Sequence, residues 1–237
     1  MIETAEADTG VVRVVLNRPT ARNALTPAGL EDLASTIEAA DEREAVAVVA
    51  LQGAGEAFCA GADLDAVAEL DRETGADFAR LGQRVARTIE DCETPVVAAI
   101  DGPAMGGGLE LALACDLRVA TPRSTFGEPG VTFGLFGAWG GTVRLPRIVG
   151  DGNAMDLALS GRTIDAETAR RMGLVSRIVD DPMAVATTLA ENPLETMAIL
   201  ADRIRDRDTL STQEQREAVA FGESVERHRD DVRALRE

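Results

Sequence analysis

Gly106-Gly107-Gly108-Leu109-Glu110 puts a backbone able to approach a ligand beside a carboxylate able to move a proton. Glycine lets another backbone or a bound molecule come close. The N–H groups that open a helix have no partner within it and point out of the positive end of its dipole. Glu110 follows Gly107 by three residues, so on a helix its carboxylate shares a face with that free N–H. Such a pair can polarise a carbonyl and transfer a proton next to it. A similar helix start, Phe58-Cys59-Ala60-Gly61-Ala62-Asp63-Leu64, lies upstream. Two N–H groups converging from two such loops would form an oxyanion hole. Blander roles are open to the same residues: Glu110 and Asp63 as first-turn acids complementing a helix dipole, and Arg22 as one surface arginine among 24.

Each loop follows a strand-like run. Ala45-Val46-Ala47-Val48-Val49-Ala50-Leu51 and Pro95-Val96-Val97-Ala98-Ala99-Ile100 are almost wholly apolar, as buried parallel strands are. Val11 to Leu16 and Leu117 to Ala120 read as further strands. Thr26 can cap a helix with Pro27 at its first position and Leu30, Leu33 and Ile37 on one face. Residues 78–92 form another helical pattern, with Leu81, Val85 and Ile89 inward. The alternation implies an α/β fold with crossover connections, where ligands sit beyond the carboxyl ends of the strands. Residues 124–141 read as a long glycine-rich loop, followed by helices over 152–159 and over 166–172 behind an Asp165 cap. Beyond Pro193 the pattern is helical and charged, with Leu194, Met197, Leu200, Ile204, Val219, Val225, Val232 and Leu235 as its apolar positions. That tail has too little apolar surface to stand alone, so it is expected to pack on the body or on another subunit. The expected division is a core over 1-192 and a helical region over 193-237.

At 237 residues and 45% hydrophobic, the chain suits one well-filled core with a short appendage. No apolar run is long enough to span a bilayer. The acidic start, Met1-Ile2-Glu3-Thr4-Ala5-Glu6, lacks a signal-peptide layout, so the expected location is cytoplasmic. The formal net charge is -17, and every basic residue is an arginine. GC-rich coding replaces lysine by arginine without making a chain acidic. A salt-rich cytoplasm favours a carboxylate-dense surface, because salt screens the self-repulsion; the halophilic reading is the one adopted. So acidic a surface argues against nucleic acid as a partner. Cys59, Cys92 and Cys115 are odd in number and far apart, and read as buried reduced thiols. With His228 as the only histidine, a multi-histidine metal site is excluded and a histidine-based triad is disfavoured.

Together these blocks resemble the enoyl-CoA hydratase/isomerase (crotonase) superfamily over nearly the whole chain. Leu16-Asn17-Arg18-Pro19 with Arg22-Asn23-Ala24-Leu25 is similar to the family's first block, and the run from Phe58 to Leu64 to its second. The stretch from Ile100 through Gly108 to Cys115-Asp116-Leu117 is similar to the third, and Phe126-Gly127-Glu128-Pro129 and Gly140 to Arg147 continue in register. The resemblance implies a crotonase-like spiral ββα core with a C-terminal helical trimerisation region. It also implies a homotrimer or a hexamer made of two trimers. The implied substrate is an acyl-CoA thioester, with no cofactor beyond its CoA moiety and no metal. By family position the N–H groups of Ala62 and Gly107 hold the thioester oxygen and Glu110 is the acid/base. Arg22 and Ala24 lie where the family contacts CoA, and the backbone from Ala60 through Asp63 and Leu64 lies where it contacts adenine.

One departure bears on the reaction. Family hydratases carry a second glutamate directly after the proline of the F-G-x-P block, and here that position is Gly130. Glu128, two residues earlier, would face the same side in an extended segment, and Pro129 biases it toward extension. Trp139 replaces a usual small residue, and is expected to narrow the acyl pocket or to fill the space beside Gly130. On this pattern Gly130 should limit hydration and Gly130→Glu should raise it. A 2-enoyl-CoA hydratase is the first reading. The others are a crotonase-fold reaction needing one carboxylate (isomerisation, decarboxylation or thioester hydrolysis) and a thioester-binding paralogue with little turnover.

Overall fold

The computed structural model describes residues 1–6 and 10–234; Leu235, assigned to the apolar face of the tail, lies outside them. The described chain divides into two units, Met1–Glu191 and Asn192–Glu237.

The larger unit is built on a six-stranded sheet. Its edge hairpin is β1 (Ile2–Glu6) antiparallel to β2 (Val11–Leu16). β3 (Val48–Gly53), β4 (Val96–Ile100), β6 (Leu117–Ala120) and the short β9 (Arg177–Ile178) then add in parallel, in the order β1-β2-β3-β4-β6-β9. β4 is buried at every residue and β3 over Val48 to Leu51, because both faces are covered. β3 starts later than the apolar run suggested: Ala47 lies in the approach, its N–H donating to the Gly10 carbonyl at 2.7 Å. The crossovers include α1 (Pro27–Asp41) and α3 (Arg72–Glu90). Thr26 accepts from the Gly29 N–H to cap α1, with Leu30, Leu33 and Ile37 fully buried beneath it. α3 begins earlier than its apolar periodicity indicates, since Asp71 and Thr74 form a reciprocal capping box.

A second, three-stranded sheet holds the site. β5 (Pro103–Met105) pairs in parallel with β7 (Thr125–Gly127), and β7 pairs antiparallel with β8 (Thr163–Asp165). α4 (Gly107–Ala114) leaves β5 through Gly106, whose φ of 49° is a conformation glycine adopts without strain. Between β3 and α3 lies the short α2 (Leu64–Ala68). After β7 a 3-10 turn over Pro129–Phe133 leads to α5 (Gly141–Val149) and α6 (Asp151–Ser160); α7 (Ala166–Arg171), capped by Asp165, and α8 (Pro182–Leu189) complete the unit.

The smaller unit is α9 (Leu194–Arg205), α10 (Leu210–Arg227) and α11 (Arg229–Ala234). Arg216 of α10 bridges Asp206 at 2.7 Å and Asp208 at 3.0 Å, tying down the turn from α9. None of these helices buries a residue fully, and Ile204, Leu210 and Phe221 are each at least 70% exposed.

Candidate active site

Three segments meet at the start of α4: that helix itself, the Ala60–Asp63 loop, and the turn from Gly137 to Gly141. They wall a cavity of about 320 Å³, lined by Ala62, Gly107, Glu110, Glu128, Gly137 and Trp139 among mainly apolar neighbours. The Ala60–Asp63 loop is held by pairing with the chain just after β2. Leu25 N–H donates to the Gly61 carbonyl at 2.8 Å, and Asp63 N–H donates to the Leu25 carbonyl at 2.9 Å. In such a parallel bridge the residue between the bonded groups, Ala62, has its own N–H turned away from Leu25. Gly61 (φ 97°) allows the loop to press on α4, since a Cβ there would stand 2.9 Å from the Gly107 nitrogen. Gly107 is the first residue of α4, and the helix's first internal bond from this end is Glu110 N–H to the Gly106 carbonyl. The N–H groups of Ala62 and Gly107 therefore lie side by side, and among the described residues neither donates to a protein acceptor.

The other residues expected to meet the substrate lie on this loop or on the segment after β2 that pairs with it. Arg22, exposed and at φ 51°, accepts the Ala60 N–H at its carbonyl, 2.9 Å away. Ala24 is buried beside it, and Leu64 is exposed at the mouth. The Asp63 carboxylate is already engaged: it pairs with Arg18 and caps α2 through the Ala66 N–H, so what Asp63 offers a ligand is backbone. The Arg18 interaction holds its carboxyl below the usual carboxylate range. Asn23, not singled out from sequence, fastens this layer: its side-chain amide donates to the carbonyls of Ala54, Ala57 and Phe58, and its oxygen accepts the Arg18 N–H. Nothing local to its segment marks this role, because the carbonyls its amide bonds lie 31 to 35 residues away. Cys59 is not a nucleophile here. Burial pushes its thiol up to about 12, and it donates to the Asn23 carbonyl.

Glu110 is 2% exposed, and its Oε1 accepts the N–H groups of Trp139 at 2.8 Å and Gly141 at 2.6 Å. It is thus no solvated first-turn acid. Burial raises its pKa above the ordinary glutamate value, opposed by those bonds and by the charge of Arg144. Arg144 spans 2.5 Å to Glu90 of α3 and 3.4 Å to the Trp139 carbonyl, which sets the turn that holds Glu110. Glu128 is also buried, at 6% exposure, and raised above the ordinary value by burial first and by the Glu110 charge second. Trp139 packs edge-on to Phe78 with ring centroids 5.6 Å apart. It also covers Gly82 and Gly107, where a Cβ would fall 2.1 and 2.2 Å from the indole. Trp139 and Gly130 line the same cavity, and the atoms nearest a Cβ at Gly130 are backbone of Leu135 and Phe136, at 3.1 and 3.2 Å. A Cβ at residue 130 would need that backbone to give by a few tenths of an ångström, so Gly130→Glu stands as a proposal that crotonyl-CoA hydration tests.

Comparison with known proteins gives the family and the fold. Residues 6–231 match the enoyl-CoA hydratase/isomerase family profile. The short-chain-enoyl-CoA hydratase of Clostridium acetobutylicum is 40% identical over 187 residues, 78% of this chain and 71% of that one. The crotonyl-CoA hydratase of Syntrophomonas wolfei is 42% identical over 69% of this chain and 64% of its own. The solved enoyl-CoA hydratase of Bacillus anthracis is 34% identical and superposes with a TM-score of 0.92 over 99% of this chain and 94% of that one. The fold is accordingly the crotonase-like α/β fold that the sequence pattern suggested.

Proposed function

The chain belongs to the enoyl-CoA hydratase/isomerase family, and from that premise we propose that it hydrates a 2-enoyl-CoA thioester. One observation carries the reading: the unbonded N–H groups of Ala62 and Gly107 and the buried Glu110 carboxylate line the same largely apolar cavity. Attack of water at the β-carbon puts negative charge on the thioester oxygen. Two preformed N–H donors stabilise that enolate, and loss of one such donor costs about 3–4 kcal/mol in comparable sites. Glu110 takes the proton of the attacking water. The names of the relatives support a short acyl chain. The CoA moiety runs along Arg22, Ala24 and the backbone of Ala60, Asp63 and Leu64, and no other cofactor is required.

The proposal extends to the assembly and its setting. The exposed Ile204, Leu210 and Phe221 support use of the C-terminal unit as a subunit contact in a homotrimer or hexamer. The acidic composition and three buried cysteine thiols support a salt-rich cytoplasm. Among the described residues no helix is long and apolar enough to cross a membrane.

The test is turnover of crotonyl-CoA followed by mass spectrometry, with wild type gaining the mass of one water. Glu110→Gln should lower kcat by about 10²–10⁴ with little change in KM. Binding of CoA thioesters without a product, or a product of unchanged mass, would overturn the reading.

A further inference from the structure

Hydration moves two protons: one leaves water at the β-carbon, the other arrives at the α-carbon. With Glu110 assigned to the first, the second needs a carrier. Residue 130 supplies none, but Glu128 turns inward two residues earlier. It leaves β7 at φ −117° and ψ 69°, just ahead of Pro129, and this sends its side chain into the same cavity as Ala62 and Gly107. Its Oε1 is buried and has no hydrogen-bond partner among the described residues. Gly137 shows how the two carboxyls are arranged. A point one bond out from its α-carbon is 2.9 Å from Glu128 Oε2 and 3.0 Å from Glu110 Cδ and Oε1. The two acids therefore flank one methyl-sized space that only a glycine leaves open. Resting on the hydratase reading, we infer that Glu128 is the second catalytic residue: it protonates the α-carbon while Glu110 deprotonates a water held over Gly137.

The surroundings assign the roles. Glu110 accepts two backbone N–H bonds and faces the Arg144 guanidinium on α5, itself paired with Glu90 on α3. These favour its ionised form. Glu128 has burial and the negative charge of Glu110 against ionisation, and no bonded donor at Oε1. The remaining acid at the cavity wall, Asp71, is committed to capping α3. The pair thus holds one proton, on Glu128. Water oxygen bonds to the β-carbon as its proton passes to Glu110. The carbon–carbon π pair shifts to give the enolate, whose oxygen charge rests on the Ala62 and Gly107 N–H groups. The enolate then collapses as the α-carbon takes the Glu128 proton. Glu110 is left protonated and Glu128 ionised, and transfer of that proton from the first to the second restores the starting state with one water added.

Glu128→Gln keeps the shape and removes the acid. Its kcat for crotonyl-CoA should fall by about 10²–10⁴, with KM little changed and the melting temperature not lowered. The fall in wild-type kcat at high pH, where Glu128 loses its proton, should be absent from the residual activity of this variant. Gly137→Ala, which puts a methyl between the carboxyls, should also lower kcat at nearly constant KM. If Glu110→Gln is inactive while Glu128→Gln turns over at the wild-type rate, the Glu128 assignment falls and the hydratase reading stands. If wild type itself adds no water to crotonyl-CoA, the hydratase reading fails and takes this assignment with it.

Discussion

Glu110 and Glu128 are two carboxylic acids buried side by side, and folding therefore raises their affinity for protons. A native state that holds protons more tightly than the unfolded chain is most stable at low pH. It loses stability as pH climbs above the ordinary glutamate value of 4.5, until the pair has ionised. This runs opposite to the usual salt-bridged carboxylate, such as Asp63 held low by Arg18, which stabilises at high pH. Replacing Glu128 with glutamine removes the member with an unpartnered oxygen and relieves Glu110 of its neighbour. Thermal unfolding should show Glu128→Gln melting higher than wild type at pH 8, by on the order of a few degrees for a domain of this size. At pH 5 the two should coincide, since both acids are then protonated in wild type. A variant that melted lower than wild type at pH 8 would mean that the Glu128 carboxylate is stabilising, and that the buried pair is not shared by one proton.

The geometry of that pair is set by the start of α5. Gly140 adopts φ 120°, and a Cβ there would lie 2.1 Å from Arg144 Nη1, so glycine lets the guanidinium close over the turn. Arg144 then ties the Trp139 carbonyl to Glu90 of α3, and the N–H groups of Trp139 and Gly141 are left aimed at Glu110. Arg144→Met should keep the hydrophobic stem and lose this clamp. If Glu110 is the acid/base proposed above, misplacement of its carboxylate by even a fraction of an ångström lowers kcat, here by on the order of tenfold or more. Because the Arg144 charge also lowers the Glu110 pKa, the acid limb of the kcat profile should move to higher pH in the variant. A role confined to stability would lower the melting temperature and leave that limb in place. α5 also shows what was legible in the sequence and what was not. The strands β2 and β4, the capped α1 and the α4 start with Glu110 could be read from apolar runs, a Thr-Pro cap and a glycine cluster, all signals local to one segment. The arrangement of residues 124–141 could not, because it depends on distant partners. β5 and β7 are three residues each; they pair with one another, β5 also with Cys59 and β7 with β8. Pro129 and the two-residue spacing suggested that Glu128 faces inward, but its placement against Glu110 shows only once Gly137 is beside both. Asn23 and Arg144 were passed over for the same reason: their partners lie 31 to 35 and 54 residues away.

At the scale of the whole molecule, a net charge of -17 over 237 residues opposes compaction. The most exposed ion pairs do little to offset it. Arg80–Asp77 and Arg233–Asp230 are at least two-thirds exposed on both partners, and pairs of that kind contribute about 0–1 kcal/mol each. Added salt weakens such pairs and the general repulsion alike. With 41 acidic residues against 24 basic, repulsion outweighs the attraction of the pairs, so salt should stabilise the fold. Melting temperature should rise by on the order of 5–10 °C between 0.1 M and 1 M KCl. The form of the rise separates two causes. Screening is nearly complete by about 1 M, where the Debye length has fallen from about 10 Å to about 3 Å. Stabilisation by strengthened apolar burial has no such limit and continues at higher salt. A steep early rise that flattens above 1 M therefore assigns the effect to the acidic surface. A melting temperature independent of KCl over the first molar would overturn the salt-adapted reading of this composition.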